Sequence, residues 1–145
     1  MAKIERSIKI NAPAEKVFEF ISDPVNFLQT HPGLTDVGEV TGRGEGQAWN
    51  WRYKMMGRSF QGKAQVTRSV LNTERVEQTT GGIKSTWTWQ LKRDTEGTQL
   101  TLMINYTIPV PVLGKVGELL TLRQNEREAD LGIANIKDKL EGGAP

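Results

Sequence analysis

The pattern of apolar and polar positions changes period early in the chain. In the segment from Ile4 to Ile10, isoleucine alternates with polar residues, as in a half-buried strand. Asn11 is suited to cap a helix, Pro13 fits a first helical turn, and Asp23-Pro24 ends the segment. The sequence therefore predicts a strand, a helix and then a second short helical turn over Val25 to Gln29. The apolar residues at helical spacing are Ala14, Val17, Phe18 and Ile21.

From Val37 onward the period of the apolar positions is two, which predicts strands with one apolar face. Glycine-rich or polar turn segments separate the strands, and Gly81-Gly82 is the clearest hairpin signal. We therefore expect six strands after the helical insert, and seven with the first. The alternating apolar positions are Trp49, Trp51, Tyr53 and Met55; Phe60, Ala64, Val66 and Val70; Ile83, Trp87, Trp89 and Leu91; and Leu100, Leu102, Ile104, Tyr106 and Ile108.

A long C-terminal helix is predicted from about Val112 to Glu141, because apolar residues recur there at steps of three and four. Gly142-Gly143 ends it. We expect this helix to lie along the concave face of the curved antiparallel sheet, while the early helices close one end. The stripe consists of Leu119, Leu122, Glu126, Ala129, Ile133, Ile136 and Leu140, and extends back to Val116 and Val112.

Composition narrows the possible functions. The length of 145 residues predicts a single domain over the whole chain. The 19 basic and 17 acidic residues nearly cancel, so nucleic acid is not an expected partner. One histidine and no cysteine give no metal-ligand set, and no motif indicates a cofactor. No apolar run is long enough for a transmembrane segment, and the N-terminus does not look like a signal peptide, so we expect a cytoplasmic protein.

Three stretches, "INAPAEKVFEFISDPVNF", "EGTQLTLMINYTIP" and "LLTLRQNEREADLGIANIKDKLE", together with the order of predicted elements, resemble the START-like helix-grip superfamily, SRPBCC. Within it the chain is most similar to the bacterial polyketide cyclase/dehydratase and lipid-transport group. The resemblance covers nearly the whole chain and implies an α+β helix-grip fold, in the order β-α-α-β6-α, that encloses an apolar cavity. Phe27 stands where many relatives carry a tryptophan.

The predicted cavity lining combines aromatic residues on the inward side of the strands with part of the helix stripe. Wide rings with a polar edge are typical of sites for amphipathic molecules, although rings at this spacing also fill cores. The predicted ligand-binding residues are Trp49, Trp51, Tyr53, Phe60, Trp87, Trp89, Tyr106, Leu119, Leu122 and Glu126.

Two polar residues have alternative interpretations. Glu126 interrupts the apolar stripe, so it is either a carboxylate of raised pKa inside a cavity or a solvent-facing carboxylate paired with a base such as Arg123. His31 in "THPG" is placed with Phe27 at the cavity entrance by the resemblance. An ordinary surface loop is the expected environment for His31, since no catalytic partner stands at a recognisable spacing.

The sequence favours binding or transport of a hydrophobic small molecule, such as a lipid or polyketide. The first alternative is a polyketide cyclase or dehydratase in which Glu126, with Tyr53 or Tyr106, transfers protons. The second is a protein-binding module, which predicts an exposed apolar patch and a filled interior. Basic residues on the outer side of neighbouring strands leave peripheral membrane contact open, and the oligomeric state is not indicated.

Overall fold

A computed structural model describes residues 2–107 and 114–142 of the chain. The first half consists of β1 (Ala2–Ile10), α1 (Ala14–Ile21), a 3-10 turn (Pro24–Asn26), α2 (Phe27–Thr30), β2 (Leu34–Thr41) and β3 (Ala48–Met55). The second half consists of β4 (Arg58–Val70), β5 (Glu74–Gly81), β6 (Ser85–Asp94), β7 (Gly97–Tyr106) and α3 (Gly114–Gly142).

The seven strands form one antiparallel sheet in the order β1-β7-β6-β5-β4-β3-β2. Consecutive strands from β2 to β7 are neighbours, and β1 closes the order by pairing with β7. The predicted α+β helix-grip architecture is therefore confirmed. The predicted strand position Ile108 and the predicted helix start at Val112 lie outside the described residues.

The N-terminal helix buries the face that the sequence predicted. Its buried residues are Ala14, Val17, Phe18 and Ile21. The N-cap position is Pro13, and it makes no side-chain cap hydrogen bond, so the capping role expected for Asn11 is wrong. The backbone amide of Asn11 instead donates to the Glu141 carboxylate at 2.6 Å, which connects the end of β1 to the end of α3.

Upstream of Ala129, the buried face of α3 departs from the predicted apolar stripe. Ala129, Ile133 and Ile136 are buried as expected, but Leu119 is 46% exposed. Upstream of Ala129 the buried positions are Thr121 and Asn125. Both polar side chains are satisfied, which makes their burial tolerable. The Thr121 hydroxyl donates to the Gly117 carbonyl at 2.9 Å, and the Asn125 amide donates to the Tyr106 hydroxyl at 3.0 Å.

The apolar core is divided into two clusters. The larger cluster joins β1, α1, Phe27, β6, β7 and α3, and the smaller one joins β3, β4 and Ile83. Between them runs β5, whose buried positions are the charged residues Arg75 and Glu77, followed by half-buried Thr79. Because this central strand has a polar inner face, the two clusters do not merge through it.

Gly62 on β4 provides a test of the packing beside the smaller cluster. It pairs with Trp51 on β3 and with Gly81 on β5. A Cβ at Gly62 would lie 1.9 Å from the Thr80 carbonyl oxygen and 2.7 Å from Trp51 Cζ2. We expect Gly62→Ala to lower the free energy of unfolding by about 3 kcal/mol, because the backbone of β5 must move.

The matched control is Gly38→Ala on β2, where an added Cβ meets no atom within 4 Å. This control is expected to stay within about 0.5 kcal/mol of the wild type in urea denaturation. Equal losses in the two variants would contradict the close approach at Gly62.

Candidate functional site

A cavity lies between the two apolar clusters. Its volume is about 120 Å³, and the empty space reaches about 870 Å³ when the part open to solvent is included. The larger cluster contributes Ile4, Phe27, Ile104, Tyr106 and Ala129 to the wall, and the smaller one contributes Trp49, Trp51, Met55, Ala64 and Ile83. The remaining wall residues are His31, Leu34, Tyr53, Glu77, Thr79, Ser85, Trp87, Asn125 and Glu128.

The structure places half of the predicted lining on the cavity wall. These residues are Trp49, Trp51, Tyr53, Trp87 and Tyr106, and both proposed entrance residues, Phe27 and His31, also line the cavity. The other five, Phe60, Trp89, Leu119, Leu122 and Glu126, do not line it.

The four apolar residues that were predicted to line the cavity but do not line it have different environments. Trp89 is fully buried and stacks on Phe27 with 5.6 Å between ring centroids. Phe60 packs against the smaller cluster, and Leu122 packs against the larger one. Leu119 is exposed because α3 turns Thr121 and Asn125 inward in that part of the helix.

Glu126 is a solvent-facing carboxylate, so its interpretation as a buried acid is wrong. Its side chain is 52% exposed and lies 3.4 Å from the Arg6 guanidinium on β1. Arg6 is also 2.6 Å from Asp130. The alternative interpretation, a paired surface carboxylate, is the observed one, with Arg6 as the partner in place of Arg123. A pair of this kind has little effect on stability.

His31 is buried, contrary to the expected surface loop. Its ring lies 5.3 Å from the Phe27 ring and 5.4 Å from the Trp87 ring, and Nδ1 is 2.8 Å from the Thr30 hydroxyl. Within residues 2–107 and 114–142 its Nε2 has no hydrogen-bond partner. Burial lowers the pKa of His31 to about 4, so the imidazole is neutral at pH 7.

The loop that carries His31 is fastened to one face of α3. Glu128 accepts from the Gly33 amide at 3.0 Å, and the Asn135 side chain donates to the Thr30 carbonyl at 2.9 Å. Between these two helix positions lies Gly132, where an added Cβ would be 2.9 Å from His31 Nε2. The missing side chain of Gly132 therefore provides the space that buries the imidazole.

The charged residues of β5 form a buried ion pair beside the cavity. Arg75 Nε donates to Glu77 Oε2 at 2.7 Å, and Arg75 Nη2 donates to Gln47 Oε1 at 2.6 Å. The guanidinium also lies 5.7 Å from the centroid of the Trp49 ring. Burial raises the pKa of Glu77, while the Arg75 charge opposes this shift. Sequence reasoning missed this pair, because in the sequence the apolar Val76 lies on the opposite face of the strand and Arg75 and Glu77 look like surface charges.

Hydroxyl groups next to Glu77 are joined in a short hydrogen-bonded series. The Trp87 indole N–H donates to Ser85 Oγ at 3.1 Å, and Thr79 Oγ1 donates to the Ile83 carbonyl at 2.9 Å. The Ser85 and Thr79 hydroxyl oxygens are 2.5 Å apart. Since the Thr79 proton is already used, Ser85 is the donor in this contact.

Two tyrosines bring phenolic hydroxyls to the cavity. Burial raises the pKa of both Tyr53 and Tyr106, and the Glu128 carboxylate raises that of Tyr53 further. Both hydroxyls are therefore protonated at neutral pH. Tyr106 accepts from Asn125, so its own proton is available for another acceptor.

The described part of the chain offers no cluster of three or more His, Cys, Asp or Glu side chains arranged to hold a metal ion. Among the described helices, none has the length and apolarity needed to cross a membrane.

A curved sheet gripping a long helix around a partly apolar cavity defines a helix-grip protein. The model of the family described as polyketide cyclase / dehydrase and lipid transport matches residues 1–141, and the chain belongs to this family. Comparison with curated proteins finds no significant match.

Solved structures share the fold at low sequence identity. TTHA0849 from Thermus thermophilus superposes with a TM-score of 0.85 at 16% identity, covering 99% of this chain and 100% of that chain. The Zhui aromatase/cyclase from Streptomyces sp. R1128 gives 0.73 at 15% identity, covering 99% and 98%. The Aha1 dimer from Colwellia psychrerythraea gives 0.65 at 16%, covering 100% of both chains. At these identities the likeness concerns the fold alone.

The buried and exposed glutamates make a matched pair for mutation. We expect Glu77→Gln to lower the free energy of unfolding by about 3–5 kcal/mol, because it leaves the buried Arg75 charge unpaired. Glu126→Gln removes only an exposed partner of Arg6, and is expected to cost about 1 kcal/mol or less in the same urea titration. A Glu77→Gln loss as small as that of Glu126→Gln would contradict the burial of the ion pair.

His31 predicts a defined dependence of stability on pH. Its folded pKa of about 4 lies below the unfolded value of about 6.5, so its contribution is present above pH 6.5 and is lost as the pH falls towards 4. The shift corresponds to about 3 kcal/mol. We expect the free energy of unfolding of the wild type to fall by about this much more than that of His31→Gln between pH 7 and pH 4. Parallel pH profiles for the two proteins would show that His31 is not buried in its neutral form.

Proposed function

We propose that the protein binds a hydrophobic small molecule in the cavity between the two apolar clusters. The proposal rests on one observation, the cavity, which the protein's own side chains leave unfilled. Aromatic residues from both clusters form its walls. Removing apolar ligand surface from water there contributes roughly 25 cal/mol per Å², before the costs of association.

The size of the cavity supports a slender or ring-containing ligand. The cavity volume of about 120 Å³ is close to the roughly 150 Å³ that accepts benzene in an engineered protein. One ring or one chain segment fits this space, and the rest of the molecule occupies the part open to solvent. A lipid with two chains does not fit without widening the cavity.

Binding is favoured over the two alternatives by specific contacts. The cyclase mechanism drawn from the sequence required Glu126 inside the cavity, whereas Glu126 is exposed and paired with Arg6. The protein-binding interpretation required a filled interior, which the cavity opposes. The family description names lipid transport beside the cyclase activity, and the Zhui structure is described as an aromatase/cyclase. These descriptions are compatible with a binding cavity and leave catalysis as a separate question.

A substitution that fills the cavity tests the proposal. Ala64 is buried on the cavity wall, directly across the strand pair from Trp49. We expect N-phenyl-1-naphthylamine, a neutral fluorescent probe, to bind the wild type with a rise in fluorescence. Ala64→Leu is expected to weaken this binding at least about tenfold, because the added side chain occupies the space of a ring.

The control is Ala134→Leu, which makes the same change on the exposed side of α3. It is expected to bind the probe as the wild type does, and thermal denaturation would verify that both variants fold. Absence of probe binding to the wild type, together with no small molecule detected by native mass spectrometry of the purified protein, would overturn the proposal.

A further inference from the structure

We infer that the cavity is built for a neutral ligand that carries a hydrogen-bond donor such as a hydroxyl group, and that this donor binds Glu77. The inference rests on the proposed function and specifies the chemical class of the ligand. It concerns one patch of the cavity wall, formed by Glu77, Thr79 and Ser85 and called here the acceptor patch.

The Glu77 carboxylate is an acceptor with unused capacity. It is 3% exposed and lines the cavity. Its Oε2 accepts from Arg75 at 2.7 Å, and the Trp89 indole N–H also interacts with the carboxylate and lowers its pKa. A carboxylate has about four lone-pair sites, so these two donors leave capacity for a donor on a ligand. An ionised carboxylate has no proton to donate, and a buried one is strongly stabilised by each further donor. Glu77 therefore favours a ligand that brings a donor.

The Thr79 and Ser85 hydroxyl groups beside Glu77 are also hydrogen-bond acceptors towards the cavity. Thr79 lies two residues after Glu77 on the same face of β5, and Ser85 and Trp87 are their respective partners on β6. The Trp87 N–H, the Ser85 hydroxyl and the Thr79 hydroxyl are all engaged as donors within this series, which ends at the Ile83 carbonyl. Their remaining lone pairs can only accept, so the whole acceptor patch presents acceptors to the cavity.

The charge balance of the site selects a neutral ligand. Arg75 neutralises Glu77 and does not itself line the cavity, because Gln47 and the Trp49 ring hold its guanidinium to one side. A ligand anion would meet the carboxylates of Glu77 and Glu128, and the described residues of the wall include no lysine or arginine. A ligand cation would have to share Glu77 with Arg75 or Glu128 with the Gly33 amide, and it would lose its hydration.

A series of ligands that differ in one group tests this selectivity on the wild-type protein by isothermal titration calorimetry. The probes are 4-propylphenol, 4-propylanisole, propylbenzene, 4-propylbenzoate and 4-propylbenzylamine. We expect the phenol to bind about tenfold or more tightly than the methyl ether and propylbenzene, since only the phenol can donate to a charged acceptor. The benzoate and the amine are expected to bind more weakly than the phenol by at least the same factor.

Equal affinity for the phenol and its methyl ether would overturn the inference while leaving the proposed function intact. The same conclusion follows if N-phenyl-1-naphthylamine binds and no member of the series does. If neither that probe nor any member of the series binds, and native mass spectrometry detects no small molecule, the proposed function itself fails.

A double variant assigns the effect to Glu77. Replacing both members of a buried ion pair by apolar residues is tolerated better than removing one, so Arg75→Met combined with Glu77→Leu avoids an unpaired buried charge. We expect this protein to bind the phenol and the methyl ether equally, while Glu126→Gln retains the preference of the wild type. Chemical denaturation verifies that the double variant folds, and an undiminished preference for the phenol in the folded double variant would show that Glu77 does not bind the donor.

Discussion

One helix cannot cover a sheet of seven strands, and the rest of the structure follows from this constraint. Strands about 4.8 Å apart make the inner face roughly 29 Å wide, whereas a helix with its side chains is about 10–12 Å across. The helix α3 packs mainly on β1 and on α2, at one side of the sheet. The inner face of the far strands is therefore covered mainly by its own aromatic side chains, and the space between these rings and α3 is the cavity.

The polar inner face of β5 separates the two apolar clusters on either side of the cavity. Apolar residues of similar size in place of Arg75 and Glu77 would cost little or no stability. The chain instead buries an ion pair there and holds it with Gln47 and Trp49. A central strand that forgoes apolar packing is unusual for a sheet of this kind, and the loss of packing falls at the wall of the cavity.

The sequence predicted the architecture because alternating and helical apolar periods are local signals. The alternation around Trp49, Trp51 and Ile104 predicts their strands from neighbouring residues alone. The buried face of α3 upstream of Ala129 could not be predicted from local signals. Thr121 faces inward only because the helix packs with that face on the sheet.

The burial of His31 and of the Arg75–Glu77 pair could not be predicted from local sequence for the same reason. His31 is buried because Gly132, about a hundred positions along the chain, lacks a side chain against the imidazole. Arg75 and Glu77 look like solvent-exposed charges in sequence, because a buried ion pair differs from a surface pair only in its surroundings. Residue identity thus fixed the strands, while long-range packing decided which polar groups reach the cavity.

The contacts between α3 and the loop of His31 divide the helix into two unequal parts. Residues Glu128 to Asn135 bind the loop, and Ile136 and Leu140 then anchor the C-terminal part of α3 in the larger cluster and against β1. The preceding part leaves Leu119 and Leu120 about half exposed and touches the interior through Thr121, Leu122 and Asn125. Local opening is least costly where few apolar contacts are lost. The first turns of α3 therefore lose fewer apolar contacts on local opening than the part of the helix that binds the histidine loop.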